Sequence, residues 1–209
     1  MNISHTQLDD CRSNPRSWVQ AKAGPAPRFS YGYNQALLHA IHTYHRSNGD
    51  VKGARQYLQD SIDRNFKDEV RSEEIQDWLD SYIQWCEQSG VIVADTKFRI
   101  KLNLGVLLQL RGEIHRLDMP PGGGYRAILL GNYSNSWRNQ LRMPLLQHAV
   151  ANRYGRPLQT IEIGVQHLDG TNLLTKRYSQ SEVARAESDF TNLSSTVERY
   201  ARNIPGLIP

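Results

Sequence analysis

The stretch that decides the fold runs from Leu110 to Gln166. It reads LRGEIHRLD (110–118), YRAILLGNYSNSW (125–137), NQLRMPLLQHAVANRYG (139–155) and TIEIGVQ (160–166). The apolar run at 125–130 is typical of a central strand. Residues 138–154 have the apolar spacing of an amphipathic helix, which Gly155 ends. The stretch therefore predicts a strand, a Gly-rich turn at 120–124, a buried strand, a helix and a further strand.

The residues before this stretch predict helices followed by a strand. A short helix is predicted within 1–20, a loop at 21–30, a helix from Tyr33 to about 46, and two more helices within 51–89. From residue 97 the pattern changes to the period of two that marks a half-buried strand, with Gly105 turning the chain into the returning strand at 108–118.

The residues after the stretch predict a hairpin and a last helix. Segments 160–168 and 173–178 would pair around the turn dipeptide Asp169-Gly170, and Ser181 would cap the final helix. We predict one domain over 1–209, with a helical part at 1–90, a sheet core at 91–178 that contains helix 138–154, and a C-terminal helix at 179–203. The fold class is α/β or α+β, a mixed sheet flanked by helices.

The composition is that of an ordinary globular protein, with 39% hydrophobic and 22% charged residues. The sequence contains no run of about 18 apolar residues that could span a bilayer and no apolar signal region, so we expect a cytoplasmic protein with no membrane contact. The distant Cys11 and Cys86 predict free thiols. The net charge of +4 permits nucleic-acid binding without requiring it.

Three blocks resemble the RecB-like branch of the PD-(D/E)XK nuclease superfamily, which includes CRISPR-associated exonucleases. HTQLDDCRSNPRSWV (5–19) is similar to the opening segment of that branch, which contains CPR and an aromatic residue. ALLHAIHTYH (36–45) is similar to its G-x-x-x-H-x-x-L-E helix, and His39 matches the metal-ligand histidine. The stretch from 110 to 155 is similar to its G-x-I-D-R, D-Y-K-T and Q-x-x-x-Y motifs. The resemblance implies a restriction-endonuclease-like core.

The same resemblance implies a defect at the catalytic positions. His115 stands where the family has an aspartate, and the neutral segment 131–134, which includes Asn132, stands where it has D-Y-K-T. Gln140 matches the family glutamine, but the aromatic residue after it is missing. Magnesium prefers carboxylate oxygens. We therefore expect no metal cofactor and no two-metal hydrolysis, and we expect a vestigial or altered site at the residues His39, Glu113, His115, Asn132 and Gln140.

An active nuclease with migrated acids remains an alternative. Glu113 and His115 share one face of their strand, and Asp118 or Glu162 could complete a Mg²⁺ or Mn²⁺ site with His39. The D-x-K tripeptide at 95–97 precedes the G-x-I-D-R-like strand and is out of family order, so we interpret it as a turn into a strand.

Two further patterns are compatible both with a functional site and with an ordinary structural role. His39, His42 and His45 recur every three residues, and we favour a solvated or partner-facing histidine face over a zinc site. A predicted nucleic-acid surface would combine basic residues of the two paired strands with one after Trp137, or the strand charges would only protect an edge strand. Its members are Lys97, Arg99, Lys101, Arg111, Arg116 and Arg138.

These observations lead to three functional hypotheses. The first is a catalytically inactive PD-(D/E)XK subunit that binds nucleic acid, with DNA favoured, or scaffolds a larger protein partner in a prokaryotic nucleic-acid-processing or antiviral defence assembly. The second is an active, divergent metal-dependent DNA nuclease. The third is a protein-interaction module without nucleic-acid contact.

Overall fold

A six-stranded mixed sheet forms the centre of the computed structural model, which describes residues 1–25, 31–104 and 107–207. Gly105 and the end of the predicted 21–30 loop lie outside these ranges. The strand order is β2-β3-β4-β5-β6, and β1 pairs in parallel with the first residues of β3 on its β4 side. The strands are β1 (Asn2–Ser4), β2 (Ile92–Asn103), β3 (Gln109–Met119), β4 (Tyr125–Leu130), β5 (Ile161–Gln166) and β6 (Leu174–Lys176).

Helices cover both faces of this sheet. Ala127 and Leu129 of β4 join the apolar cluster on one face, whereas Ile128 and Leu130 join the cluster on the other, as strand alternation requires. The first cluster includes residues of α1 (Leu8–Ser13), α2 (Pro15–Ala23), α6 (Arg142–Tyr154) and α7 (Gln180–Ala201). The second includes residues of α3 (Tyr33–Arg46), α4 (Val51–Asn65) and α5 (Glu69–Ser89). The predicted mixed α/β class is confirmed.

Several element boundaries differ from the sequence prediction. Residues 2–4 form β1, which extends the sheet beside β3, and the region 1–20 contains α1 and most of α2 instead of the single short helix that was predicted. Residues 135–139 form a 3₁₀ turn, so the helix predicted from 138 begins at Arg142. Ser179, not Ser181, caps the last helix, where it forms a reciprocal capping box with Glu182. The 95–97 tripeptide lies inside β2 and does not form an entry turn. None of the helices in the described ranges is long and apolar enough to cross a membrane.

A candidate nucleic-acid site where two strands separate

The candidate site lies where β3 and β4 part. The two strands pair only from Arg116 to Asp118 of β3, after which β4 continues beside β5. The backbone N–H of Leu130 donates to Nδ1 of His115, 2.8 Å away, so the imidazole replaces a strand partner. Since Nδ1 accepts this bond, the ring carries its proton on Nε2. His115 therefore has a structural role at the position where the resemblance implies an acid.

An irregularity in β2 places Lys97 beside this point. Thr96 and Phe98 are in register with Arg116 and Ile114 of β3, but Lys97 has a φ of +51°. A positive φ is uncommon for a residue other than glycine and carries backbone strain. The Lys97 ammonium donates to Nε2 of His39 at 3.1 Å. The strained backbone thus goes together with a lysine–histidine contact between the sheet and α3.

The rings of His39, His42 and His115 lie side by side, with centroids 6.5 Å apart for the first two and 6.2 Å apart for the last two. Thr96 Oγ1 donates to the His115 carbonyl oxygen at 2.9 Å. The Thr96 hydroxyl has only this one proton to donate. The 2.7 Å hydrogen bond between Thr96 Oγ1 and His42 Nδ1 is therefore donated by the imidazole. By the same reasoning, Nε2 of His39 accepts from Lys97, and its Nδ1 donates to the Tyr57 hydroxyl at 3.1 Å. We call His39, His42, Lys97 and His115 the imidazole cluster.

Burial keeps the histidines of this cluster neutral. Burial and, to a lesser extent, nearby His115 and Lys97 together lower the pKa of His42 to about 3. The pKa of His115 falls to about 4, again mainly because of burial. The pKa of the more open His39 is lowered by burial and then by the charges of Lys97 and Arg46. At neutral pH the only charge in the imidazole cluster is therefore the Lys97 ammonium.

A buried ion pair stands next to the imidazole cluster. Arg116 and Asp118 have fully buried side chains, joined by two hydrogen bonds of 2.6 and 2.9 Å. The guanidinium also donates to the Tyr82 hydroxyl at 2.7 Å and lies over the Trp85 ring. Arg116 is therefore unavailable to a nucleic acid, and its place in the predicted basic surface was wrong. Its charge is satisfied inside the protein, as a buried guanidinium requires.

The acids proposed for an altered metal site do not assemble around His39. Asp118 is bonded to Arg116, and Glu162 bonds to Arg126 and Arg177. Glu113 lies opposite Arg99 in the β2–β3 pairing. Within the described ranges, no three His, Cys, Asp or Glu residues are grouped so that they could hold a metal ion. Imidazoles and an ammonium are a poor set of ligands for Mg²⁺, so the residues at this site do not fit the family's metal.

The structure separates the remaining predicted site residues into different places. Asn132 follows β4 and lines a cavity of about 330 Å³, and Gln140 accepts a hydrogen bond from Arg142 at 2.8 Å. His42 is 3% exposed, so the predicted solvated histidine face was wrong for it, because α3 packs this side against β2. His45 instead bonds to the Tyr82 hydroxyl at 2.8 Å.

Three predicted basic residues share one exposed face of the β2–β3 hairpin. Arg99, Lys101 and Arg111 are all exposed, and Lys101 is the direct cross-strand neighbour of Arg111. Directly opposite residues lie about 5 Å apart on such a hairpin. We call these three residues the basic strip. Arg138 is also exposed but stands apart, in the 3₁₀ turn, over the ring of the buried Trp137.

Comparisons with known proteins agree with the fold. No family model and no curated protein matches the chain. It is similar to a "putative exonuclease" from Eubacterium rectale, with a TM-score of 0.52 and 8% identity over 88% of this chain and 71% of the other. SSO0001 (TM-score 0.29, 8% identity, 98% and 96% coverage) and Scheffersomyces stipitis Rai1 (0.27, 10%, 96% and 67%) match more weakly. The first similarity supports a nuclease-like fold.

Sequence reasoning missed the residues that bind the histidines. Tyr57, Tyr82 and Thr96 each hydrogen-bond a histidine, yet the two tyrosines belong to no recognised motif and Thr96 is only the variable residue of the D-x-K tripeptide. Tyr82 lies on the buried side of α5, where the sequence gives it no more than the spacing of an apolar residue. A buried tyrosine hydroxyl usually needs a partner, and that was the one available signal that a polar group would lie beneath α5.

Proposed function

We propose that this protein binds nucleic acid on a nuclease-like fold and does not perform metal-dependent hydrolysis. The observation that supports it best is the imidazole cluster. His115 stands where the resemblance implies a metal-binding aspartate, and the other members of the cluster are neutral histidines and one lysine. A lysine near a strand separation attracts phosphate oxygens, whereas a metal pair would require carboxylates.

The basic strip gives this proposal its contact surface. Its side chains are exposed on the β2–β3 hairpin at the edge of the sheet. Arg116, in contrast, is held in the buried ion pair with Asp118. Contacts from arginine and lysine to phosphates supply affinity without reading the sequence. We therefore propose binding with little base specificity along the hairpin, extended by Lys97 at its inner end and with DNA as the favoured substrate.

The setting of this activity follows from the sequence resemblance. We propose a cytoplasmic subunit of the RecB-like or CRISPR-associated type, working with a larger protein partner in nucleic-acid processing or antiviral defence. The similarity to the Eubacterium rectale structure supports the nuclease-like fold on which this proposal rests. A protein partner would also account for retaining a nuclease fold without its acids.

A nuclease assay tests the absence of metal-dependent cleavage. Purified protein is incubated with labelled single- and double-stranded DNA and RNA in Mg²⁺, in Mn²⁺ and in EDTA. We expect no metal-stimulated cleavage. Cleavage that needs the metal and disappears in Glu113→Ala or His39→Ala would overturn the proposal, and Asp63→Ala, on the distant α4, controls for a contaminating nuclease.

A binding assay tests the basic strip. Fluorescence anisotropy with a labelled oligonucleotide at several salt concentrations should give a salt-dependent affinity. The triple variant Arg99→Ala/Lys101→Ala/Arg111→Ala should weaken binding and reduce the salt slope by about one per lost phosphate contact.

A second triple variant provides the matched control. Arg55→Ala/Arg64→Ala/Arg71→Ala removes the same charge from exposed side chains of α4 and α5. It should leave the affinity within about twofold, apart from the general loss of positive charge. Equal losses in both variants, or no salt-dependent binding by the natural protein, would refute the role of the basic strip.

A further inference from the structure

The basic strip leads along one sheet face to the imidazole cluster. Its three side chains are exposed, and Arg99 lies directly across from Glu113, whose charge it offsets. Alternate residues of a strand share a face, so His115 continues the row from Glu113. The His115 ring lies 6.2 Å from the ring of His42, which belongs to α3. A nucleic-acid strand bound to the basic strip therefore reaches the imidazole cluster at the side of α3.

Within the cluster, His39 is the histidine that can accept a proton from a bound strand. His42 is 3% exposed and cannot be reached. His115 has no free lone pair, because its Nδ1 accepts from the Leu130 N–H and its Nε2 carries the proton. His39 is partly exposed, as is Lys97 beside it. These two side chains are therefore the members of the cluster that a substrate can contact.

The hydrogen bonds of His39 give it the form of a general base. Its Nδ1 donates to the Tyr57 hydroxyl at 3.1 Å, so the lone pair of the ring lies on Nε2. The Lys97 ammonium and the Gln35 amide nitrogen both lie 3.1 Å from that nitrogen. Burial and the charges of Lys97 and Arg46 lower the pKa of His39, so the ring is neutral at pH 7. A neutral imidazole that a third group orients can take a proton from a hydroxyl.

Lys97 places a cation directly beside this base. An ammonium here attracts a phosphate oxygen and stabilises the negative charge that develops on the phosphate during attack. The positive φ of Lys97 fixes its position through a strained backbone, which is common at functional sites.

A base and a cation can cleave a phosphodiester if the nucleophile comes with the substrate. RNA carries such a nucleophile in the 2′-hydroxyl next to each phosphate, whereas DNA does not. Attack within one strand gains from proximity and needs no metal-activated water. The 2′-oxygen must lie in line with the bond that breaks, and a regular double helix prevents this alignment. The chemistry of His39 and Lys97 therefore fits unpaired RNA.

We propose that His39 and Lys97 cleave single-stranded RNA at the end of the basic strip without a metal ion. The inference rests on the proposed nucleic-acid binding and adds an activity to it. DNA binds to the same surface and is not cleaved.

The two side chains account for every proton in the reaction. Nε2 of His39 takes the proton of the 2′-hydroxyl while the 2′-oxygen bonds to phosphorus. The bond between phosphorus and the 5′-oxygen breaks, and the leaving oxygen takes a proton from the Lys97 ammonium. The products carry a 2′,3′-cyclic phosphate and a 5′-hydroxyl. The imidazolium of His39 then returns its proton to the Lys97 amine, 3.1 Å away, which restores the starting state.

A cleavage assay in excess EDTA tests this activity. A labelled single-stranded RNA and the DNA of the same sequence are incubated with the natural protein, and the products are identified by mass spectrometry. The RNA should yield fragments that end in a 2′,3′-cyclic phosphate, and the DNA should remain intact. This comparison needs no variant, so it does not depend on whether a substitution impairs folding.

Variants assign the cleavage to the two side chains. His39→Ala and Lys97→Met should each lower the rate at least about 100-fold, as expected for loss of a general base or acid. Tyr57→Phe removes only the group that orients His39, so it should lower kcat about tenfold, equivalent to one hydrogen bond, and leave KM unchanged. His148→Ala removes a histidine from α6 and should have no effect. Circular dichroism confirms that each variant folds.

The possible results separate the two proposals. Salt-dependent RNA binding without cleavage in EDTA would overturn the inference and leave the proposed function standing. Cleavage that persists in His39→Ala or Lys97→Met would also overturn it, because another site or a contaminating ribonuclease would then be responsible. Cleavage of the DNA would overturn it as well, since no 2′-hydroxyl would be needed. Absence of binding to any oligonucleotide would refute the proposed function and this inference together.

Discussion

The two faces of the sheet differ in how they are held together. Beneath α6 and α7 the core is mainly apolar, and its one fully buried glutamine, Gln147, bonds to backbone atoms of Leu158 and Tyr178. Beneath α3 and α5 the core also contains the Arg116–Asp118 pair and the imidazole cluster. Burial of apolar surface is enough to explain how the first face is stabilised, but it does not explain the polar groups in the second.

This difference indicates where function is concentrated. Buried charges and neutral histidines add little net stability compared with apolar residues of similar size, so their presence calls for another explanation. The strained Lys97 and the separation of β3 from β4 lie on the same side. Strain and perturbed pKa values tend to occur together at functional sites. The α3–α5 face is therefore the better candidate.

Removing one partner of the buried ion pair should have the largest effect on stability. Asp118→Ala leaves Arg116 with a buried, uncompensated charge, and we expect a loss of about 3–5 kcal/mol in the free energy of unfolding. Urea denaturation measures it. The control Asp60→Ala breaks the pair with Arg64, whose side chain is 71% exposed, and should cost less than about 1 kcal/mol. Similar losses in both variants would contradict the distinction.

The histidines should make the stability depend on pH. In the unfolded chain a histidine binds a proton near pH 6.5, whereas His115 in the fold does so only near pH 4. Stability is therefore complete above about pH 6.5 and falls as the pH approaches 4, by roughly 3 kcal/mol for His115 alone. Urea denaturation at a series of pH values measures this slope.

Variants on the two faces should affect this slope differently. His115→Asn offers the Leu130 N–H another acceptor but cannot titrate, so the slope between pH 6.5 and 4 should become shallower. Phe190→Ala, on the apolar face, should cost about 3–5 kcal/mol at every pH. Part of the slope will remain, because burial also lowers the pKa of His42 to about 3 and the pKa values of His45 and His5 to about 4. An unchanged slope in His115→Asn would refute the assignment.

Local sequence patterns were sufficient to predict helices and strands, but not the buried polar contacts of Arg116. The apolar spacing predicted α3, and the apolar run at 125–130 predicted β4 at its observed bounds, because both signals lie within a few residues. Arg116 was assigned to the surface because charged side chains are rarely buried unpaired. Its burial depends on Asp118 together with Tyr82, which belongs to a distant helix.

The strained backbone at Lys97 could not be predicted for a related reason. The register shift of the β2–β3 pair lies between Val93 and Asp95, so strand pairing does not require a positive φ at Lys97. The sequence shows a lysine in an alternating pattern, which is also what a regular edge strand would contain. Thr96 and Phe98 keep a continuous register with Arg116 and Ile114, so only the φ of +51° distinguishes Lys97 from a regular edge-strand residue.

The smallest expected effect comes from relieving the strain at Lys97. A left-handed backbone conformation costs a non-glycine residue about 1–2 kcal/mol, which glycine avoids. Glycine also loses more conformational entropy on folding, and this offsets about 0.5–1 kcal/mol of the gain. Lys97→Gly should therefore stabilise the protein by about 0.5–1 kcal/mol in urea denaturation.

The same substitution removes the only ammonium of the imidazole cluster, so oligonucleotide affinity and its salt slope should both decrease. Lys101→Gly, at a regular position of β2, is the control and should lower both stability and binding. A gain in stability together with weaker binding at residue 97 alone would show that the strain on the α3–α5 face serves to place this lysine. If Lys97→Gly destabilises the protein as Lys101→Gly does, the positive φ at residue 97 stores no strain, and the two faces differ less than their polar content implies.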